Sequence, residues 1–322
     1  MTNLLIYFFS LFLIASIFMA SKPDTQESKK LESKKEEQAE MQVVQLSKGD
    51  TTGFARMRET FTERNTGYDM HFISNANKIA ANQSNRLVFI QDGEGIARVT
   101  GEDTSSFTVG DIIHLAPSIS LEADQSFDAL VFTVPQPLPE NIPSYIRPDW
   151  DPNITDVPGG CATENNAYRR ILLTWLDKVG PYQYHALNAH RVRIMDSFTH
   201  YHPKEGGFDE FYLVQMVMPG ARLYTSDKVE TIKDPSSVDA NETDTLLKET
   251  KLNVGDLVYL PRGIAHRGYG GVLAHVITVP GFVPGSEIGL DHHLRAINEK
   301  LSLNGKDAIP YNEFASTHAV VK

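Results

Sequence analysis

The chain has 322 residues, 41% of them hydrophobic and 22% charged, the balance of a globular protein. A net charge of -11, with no basic cluster clear of acidic neighbours, argues against a nucleic-acid partner. The single cysteine, Cys161, excludes an intrachain disulfide and a thiolate metal site, so any metal must be held by histidine and carboxylate.

The segment Leu4 to Ala20 is uncharged and strongly apolar. Residues 1–21 therefore read as a secretory signal peptide or an N-terminal membrane anchor, and the protein is expected to be exported or held at a membrane by this segment alone. Residues 22–50 mix Lys and Glu with few apolar residues and read as a polar spacer.

From there the pattern is β. In residues 55–150, Arg86 to Gln91, Ile96 to Thr100, Val109 to Pro117 and Ala129 to Val134 are predicted strands separated by Gly/Asp turns. Residues 151–184 form a connector, with a helix predicted from Thr163 to Lys178, capped by Thr163 and stopped at Gly180-Pro181. Residues 185–322 repeat the first unit. Val192 to Met195, Glu210 to Val217, Ala221 to Tyr224, Val254 to Pro261 and Ala274 to Val279 are the predicted strands. Val254-Gly255-Asp256 parallels Val109-Gly110-Asp111, and both Ala129 to Val134 and Ala274 to Val279 end in Val-Pro. Residues 226–250 read as a surface loop, and Asp291 to Leu301 as an amphipathic helix.

Chemistry concentrates in the second unit. His200 and His202 share one face of a strand, about 7 Å apart. Glu210 opens the next strand, and His266 closes the run Pro261-Arg262-Gly263-Ile264-Ala265-His266. Three imidazoles and a carboxylate are a metal-binding set, and burying them together without a cation would be costly. Tyr212 falls on the same face as Glu210, where its hydroxyl could orient a substrate or pack in the core. Arg193 and Arg267 flank the histidines and could clamp a carboxylate.

These residues resemble the two motifs of the cupin superfamily. The second motif, a glycine, five residues, Pro-x-Gly, two residues and a histidine, is matched from Gly255 to His266. The first departs from the family: seven residues separate His202 from Glu210, and Val217 stands where a glycine normally closes it. Glu205 lies inside the longer gap as a rival ligand, but the adjoining Gly206-Gly207 marks a loop, whereas Glu210 opens a strand. The resemblance implies an all-β bicupin: two double-stranded β-helix barrels joined by a helical connector, with a short C-terminal helix. The N-terminal barrel would lack metal ligands. The C-terminal one would hold one divalent ion, iron first, with Mn, Zn, Ni or Cu as other candidates, on His200, His202, Glu210 and His266. It further implies an enzyme on a small organic molecule, a dioxygenase. The alternatives are a non-redox isomerase or lyase on a sugar acid or organic acid, and a non-catalytic binding bicupin. A small molecule is the expected partner, and a homodimer the assembly considered.

Overall fold

The computed structural model describes residues 40–101, 104–157, 159 and 168–322. The expected signal or anchor segment and most of the spacer lie outside these residues. Among the described residues, no helix is long and apolar enough to cross a membrane.

The chain enters as strand β1 (Gln42–Gln45) and helix α1 (Thr51–Arg64). The Asp50 carboxylate caps α1 by accepting from the Gly53 amide at 2.9 Å. The first barrel follows as β2 (Asp69–Ile79), β3 (Asn85–Asp92), β4 (Gly95–Val99), β5 (Thr104–Phe107), β6 (Ile112–Leu115), β7 (Leu121–Val134) and β8 (Tyr145–Ile146). Strands β2 and β7 are long enough to serve two sheets. Their outer halves pair as Asp69 to Ile73 against Ala129 to Thr133, and their other ends pair at Lys78 and Ile79 against Glu122 and Leu121. One sheet runs β2–β7–β3–β6, and the other runs β2–β7–β4–β5.

The second barrel repeats this path. It comprises β9 (Arg169–Leu173), β10 (Asn188–Asp196), β11 (His200–Tyr201), β12 (Asp209–Val217), β13 (Arg222–Ser226), β14 (Lys248–Lys251), β15 (Asp256–Leu260), β16 (Ala265–Val279) and β17 (Ile288–Gly289). One sheet is ordered β10–β16–β12–β15 and the facing one β11–β16–β13–β14. Strand β16 changes sheet at Gly270 and Gly271, whose φ values of 83° and 88° suit glycine. A Cβ on Gly270 would stand 2.5 Å from the Gly220 carbonyl, so the corner needs glycine for space as well. Both units thus have the order of a double-stranded β-helix, or jelly roll.

Alternation along β12 explains how the barrels pack. Phe211 and Leu213 face the first barrel, where they join Leu87, Phe89 and Phe132 in one apolar cluster. Met57 and Phe61, one turn apart on α1, lie in the same cluster, with Phe61 edge-on to Phe211 at 5.1 Å. Glu210, Tyr212 and Val214 alternate to the barrel interior, where Tyr212 and Val214 pack with Val192, Val258 and Val276.

Three sequence expectations need correction. The connector helix is not formed where it is described: Arg169–Leu173 is a strand pairing with β10. Ile171, Leu172 and Leu173 are all buried, so the run has no polar helical face and instead covers the open edge of β10. The spacer ends earlier than residue 50, because β1 pairs with β15 and Val44 and Leu46 are buried. Residues 226–250 are more than a loop. A short helix, α2 (Val229–Lys233), and the following turns bury Val229, Ile232, Val238 and Leu246 against α3 (Asp291–Leu301). The α3 helix has the bounds expected from the sequence.

Candidate metal centre

Pairing register brings the four motif side chains together. His200 on β11 and His266 on β16 are cross-strand partners. Glu210 on β12 lies opposite both Leu260 and Thr278. One donor atom from each of His200, His202, Glu210 and His266 lies within 4.8 Å of every other, and all four residues are buried. Glu210 approaches His202 Nε2 at 3.6 Å and His266 Nε2 at 3.4 Å. A small inward movement would put these atoms about 2.0–2.2 Å from a common ion, the usual Nε2 and carboxylate distance.

Backbone carbonyls set the tautomers. His200 Nδ1 faces the Phe198 carbonyl at 3.0 Å, His202 Nδ1 the Phe208 carbonyl at 3.1 Å, and His266 Nδ1 the Ile264 carbonyl at 3.3 Å. A carbonyl can only accept, so each Nδ1 carries the proton and each Nε2 presents a lone pair. All three Nε2 atoms are buried without a hydrogen-bond partner. Three orphaned lone pairs aimed at one carboxylate fit a cation, since each would otherwise carry a desolvation penalty. Burial, and then the charge of His266, hold His200 and His202 well below the ordinary histidine range, which keeps both rings neutral.

The unusual gap after His202 has a structural use. Residues 203–208 fold back so that the Phe208 ring lies 3.8 Å from the His202 ring while its carbonyl receives the imidazole proton. A Cβ on Gly207 would stand 2.1 Å from the Pro203 carbonyl, so only glycine permits this turn. Glu205 is exposed in the turn, outside the cluster. Phe198 stacks on the other flank, 4.3 Å from the His200 ring and inclined at 18°.

Tyr212 lies one layer beneath Glu210, fully buried, with its ring 6.3 Å from that of His266. The two arginines are elsewhere. Arg193 is exposed on the outward face of β10, because residue alternation places it opposite in sense to Val192 and Ile194. Arg267 follows His266 and so points out of the barrel, where its Nε and Nη2 donate to Asp196 Oδ1 at 2.9 and 2.7 Å. Neither arginine belongs to the cluster.

Glu287 stands at the rim of the cluster, and no motif announced it. Its Oε1 is 4.0 Å from His200 Nε2, with the side chain 13% exposed. Burial first, and then the Glu210 charge, push its carboxyl up to about 7, against the opposing pull of Lys322, His266 and Arg169. It sits in the Pro280-to-Ile288 stretch, where proline and glycine signal only a loop.

The duplicated jelly roll with one His-x-His, Glu and His set inside settles the architecture. The fold is that of two double-stranded β-helix barrels, the architecture that the cupin resemblance implies. No family model matches the sequence, and no curated protein matches it either. Among solved structures, the chain is similar to the oxalate decarboxylase of Lactobacillus farciminis in complex with formate. That match has 16% identity, 78% of this chain and 89% of that one covered, and a TM-score of 0.42. It is also similar to the 11S globulin of Wrightia tinctoria, at 11% identity, coverage of 66% and 75%, and a TM-score of 0.42. A cupin 2 conserved barrel domain protein of Leptotrichia buccalis matches at 15% identity, 66% and 82% coverage, and a TM-score of 0.38.

Proposed function

We propose that the chain is a metal-dependent enzyme acting on a small organic acid, and that the reaction is a dioxygenation. The observation that carries the metal reading is the convergence of three orphaned Nε2 lone pairs on Glu210. His200, His202, Glu210 and His266 would hold one divalent ion. Such an ion, iron first among the metals suited to imidazole and carboxylate, supplies Lewis-acid or oxygen-activating chemistry when bound. Phe198 and Phe208 flank the imidazoles and keep water from their faces. Tyr212 fills the barrel below Glu210, packed in the apolar cluster beneath the histidines.

A second reading, a non-redox isomerase or lyase, is favoured by Glu287. Its carboxyl stands at the rim of the cluster, on a different segment from the four donors, where it can give or take a proton at a bound substrate. Metal analysis of the purified chain, followed by oxygen uptake on a panel of small acids, tests both readings. Stoichiometric metal with substrate-dependent oxygen uptake supports the dioxygenase. Turnover without oxygen uptake supports the second reading. Purified chain without bound metal, and unable to take up Fe(II), Mn(II) or Zn(II), would overturn both.

A further inference from the structure

Strand β11 is two residues long, too short for its ladder alone to fix the His200 side chain. The start of α3 supplies further bonds. The Leu290 amide donates to the Thr199 carbonyl at 2.8 Å, and the Thr199 amide donates to Asp291 Oδ2 at 2.7 Å. Asp291 Oδ1 accepts from the Asn312 amide at 2.8 Å. Both oxygens of this carboxylate are thus spent on backbone amides, one of them directly before His200.

The Thr199 amide and the Phe198 carbonyl belong to one planar peptide unit and point to opposite sides of it. His200 Nδ1 donates to that carbonyl at 3.0 Å. A continuous line of bonds therefore runs from Asp291 through one peptide to His200 Nδ1 and, across the ring, to the Nε2 lone pair in the cluster. An anion at the amide end polarises the peptide and makes its carbonyl a stronger acceptor. A stronger acceptor at Nδ1 fixes the ring plane and raises the basicity of Nε2, as a carboxylate bonded directly to a metal-binding histidine does.

Asp291 is a costly residue to keep. It is 1% exposed, and burial pushes its carboxyl above the ordinary range, against the bonds from Asn312 and Thr199. Among the described residues no lysine or arginine forms an ion pair with it: Arg267, whose charge reaches it, is bonded to Asp196. An ionised group buried without a counter-ion lowers stability, so its presence points to a use beyond folding. We infer that Asp291 is a positioning residue for His200, holding and polarising the Phe198-Thr199 peptide so that the imidazole presents a fixed and basic Nε2. This inference rests on the metal reading of the cluster.

The test is proton NMR of the isotope-labelled full chain, metal-free and loaded with Zn(II), with Zn(II) affinity taken from competition with a chelating dye. In the wild type the His200 Nδ1 proton is expected at lower field than those of His202 and His266 in both states. Asp291→Asn keeps the size and removes the charge. It should move the His200 Nδ1 proton upfield, leave the other two in place, and weaken Zn(II) by about tenfold, the lower end of the usual cost of losing an outer partner of a ligand. Ile297→Ala, which opens the apolar cluster under α3, is the control. It should lower the melting temperature but leave the Nδ1 protons and the affinity as they are. A His200 proton that is not at the lowest field in the wild type, or that stays put in Asp291→Asn, would overturn the inference. Equal loss of affinity in Asp291→Asn and Ile297→Ala would do the same. If Asp291→Asn does not fold, the wild-type order of the three protons decides. A chain that takes up no Zn(II) refutes the metal reading, whereas the metal-free spectra still decide whether Asp291 acts on His200.

Discussion

Arg86 and Glu210 occupy the same place in the two barrels. Arg86 lies opposite Leu115 and Thr133, and Glu210 opposite Leu260 and Thr278, at matching positions of the repeated strands. The same register sets Ile79 and Leu121 where the second barrel has His200 and His266. The first barrel therefore carries two aliphatic residues and a guanidinium at those positions. Arg86 is 2% exposed, and its two Nη atoms donate to the carbonyls of Ala80 at 2.8 Å and Ile119 at 2.7 Å. A resident side-chain cation closes this barrel in place of an ion.

On the metal reading of the cluster, the chain is expected to bind one metal ion, in the second barrel. Arg86→Leu should leave metal content unchanged. It should lower unfolding stability by about 2–3 kcal/mol, since two buried carbonyls lose their donors. Elemental analysis and urea unfolding of the same preparation check both halves. A second ion in the wild type, or loss of the ion in Arg86→Leu, would sink the assignment.

Substitution of the donors themselves separates Glu210 from Glu205. His266→Ala and Glu210→Gln should each weaken metal binding by well over about tenfold, because even outer contacts of a ligand cost 10–100-fold. Glu205→Gln should bind metal as the wild type does. Competition with a chelating dye gives the affinities. The reverse ranking of the two carboxylates would show that the exposed turn of residues 204–206 swings inward.

Much of this centre was legible in the sequence, and the reasons differ residue by residue. His200 and His202 needed only strand alternation, and Gly255 to His266 carried its own spacing. Gly-Asp turns and Val-Pro strand ends exposed the duplication. Long-range pairing was not legible. Nothing local says that Arg169 to Leu173 would be claimed by the edge of β10, or that Val44 would be claimed by the edge of β15. Arg193 and Arg267 were near the histidines in sequence, but alternation turned both outward. Glu287 reaches the rim of the cluster through the pairing of β17 with β11, segments more than eighty residues apart, which no window on the sequence contains.

Asp209 fastens the second motif to the first. Burial alone would raise its carboxyl, but bonds from Arg262 reverse the shift and bring it below the ordinary range. Its Oδ1 accepts from the Arg262 amide at 2.9 Å and Nε at 2.8 Å, and its Oδ2 from Asn65 Nδ2 and the Tyr259 hydroxyl, each at 2.7 Å. Asp209 thus ties the Pro261-to-Gly263 turn, the end of α1 and the start of β12 at one point. Asp209→Asn should cost about 1–3 kcal/mol of stability, the cost of losing charge-assisted bonds to a partly buried arginine that keeps its bond to Asn65. Because the depressed pKa lies in the folded state, this contribution is present above the unfolded value of about 3.9 and fades as pH falls through the folded one. Unfolding curves at pH 7 and pH 3 should therefore differ less between variant and wild type at the lower pH.

His275 sets a second acid limit, between the barrels. Its ring lies edge-on to Phe89 at 5.3 Å, it is fully buried, and neither ring nitrogen has a hydrogen-bond partner. Burial, and then the charge of Arg191, lower its pKa to about 3. The folded chain therefore keeps this imidazole neutral at pH values where the unfolded chain, with an ordinary value near 6.5, takes up a proton. Its sign follows from that difference: stability is fully present above pH 6.5 and falls as pH drops toward 3. His275→Leu removes the titrating group and places an apolar side chain of similar size against Phe89. Urea unfolding between pH 7.5 and 4.5 should show a shallower loss in His275→Leu than in the wild type. Parallel curves would mean that the inter-barrel contact opens to water and that His275 is not enclosed in solution.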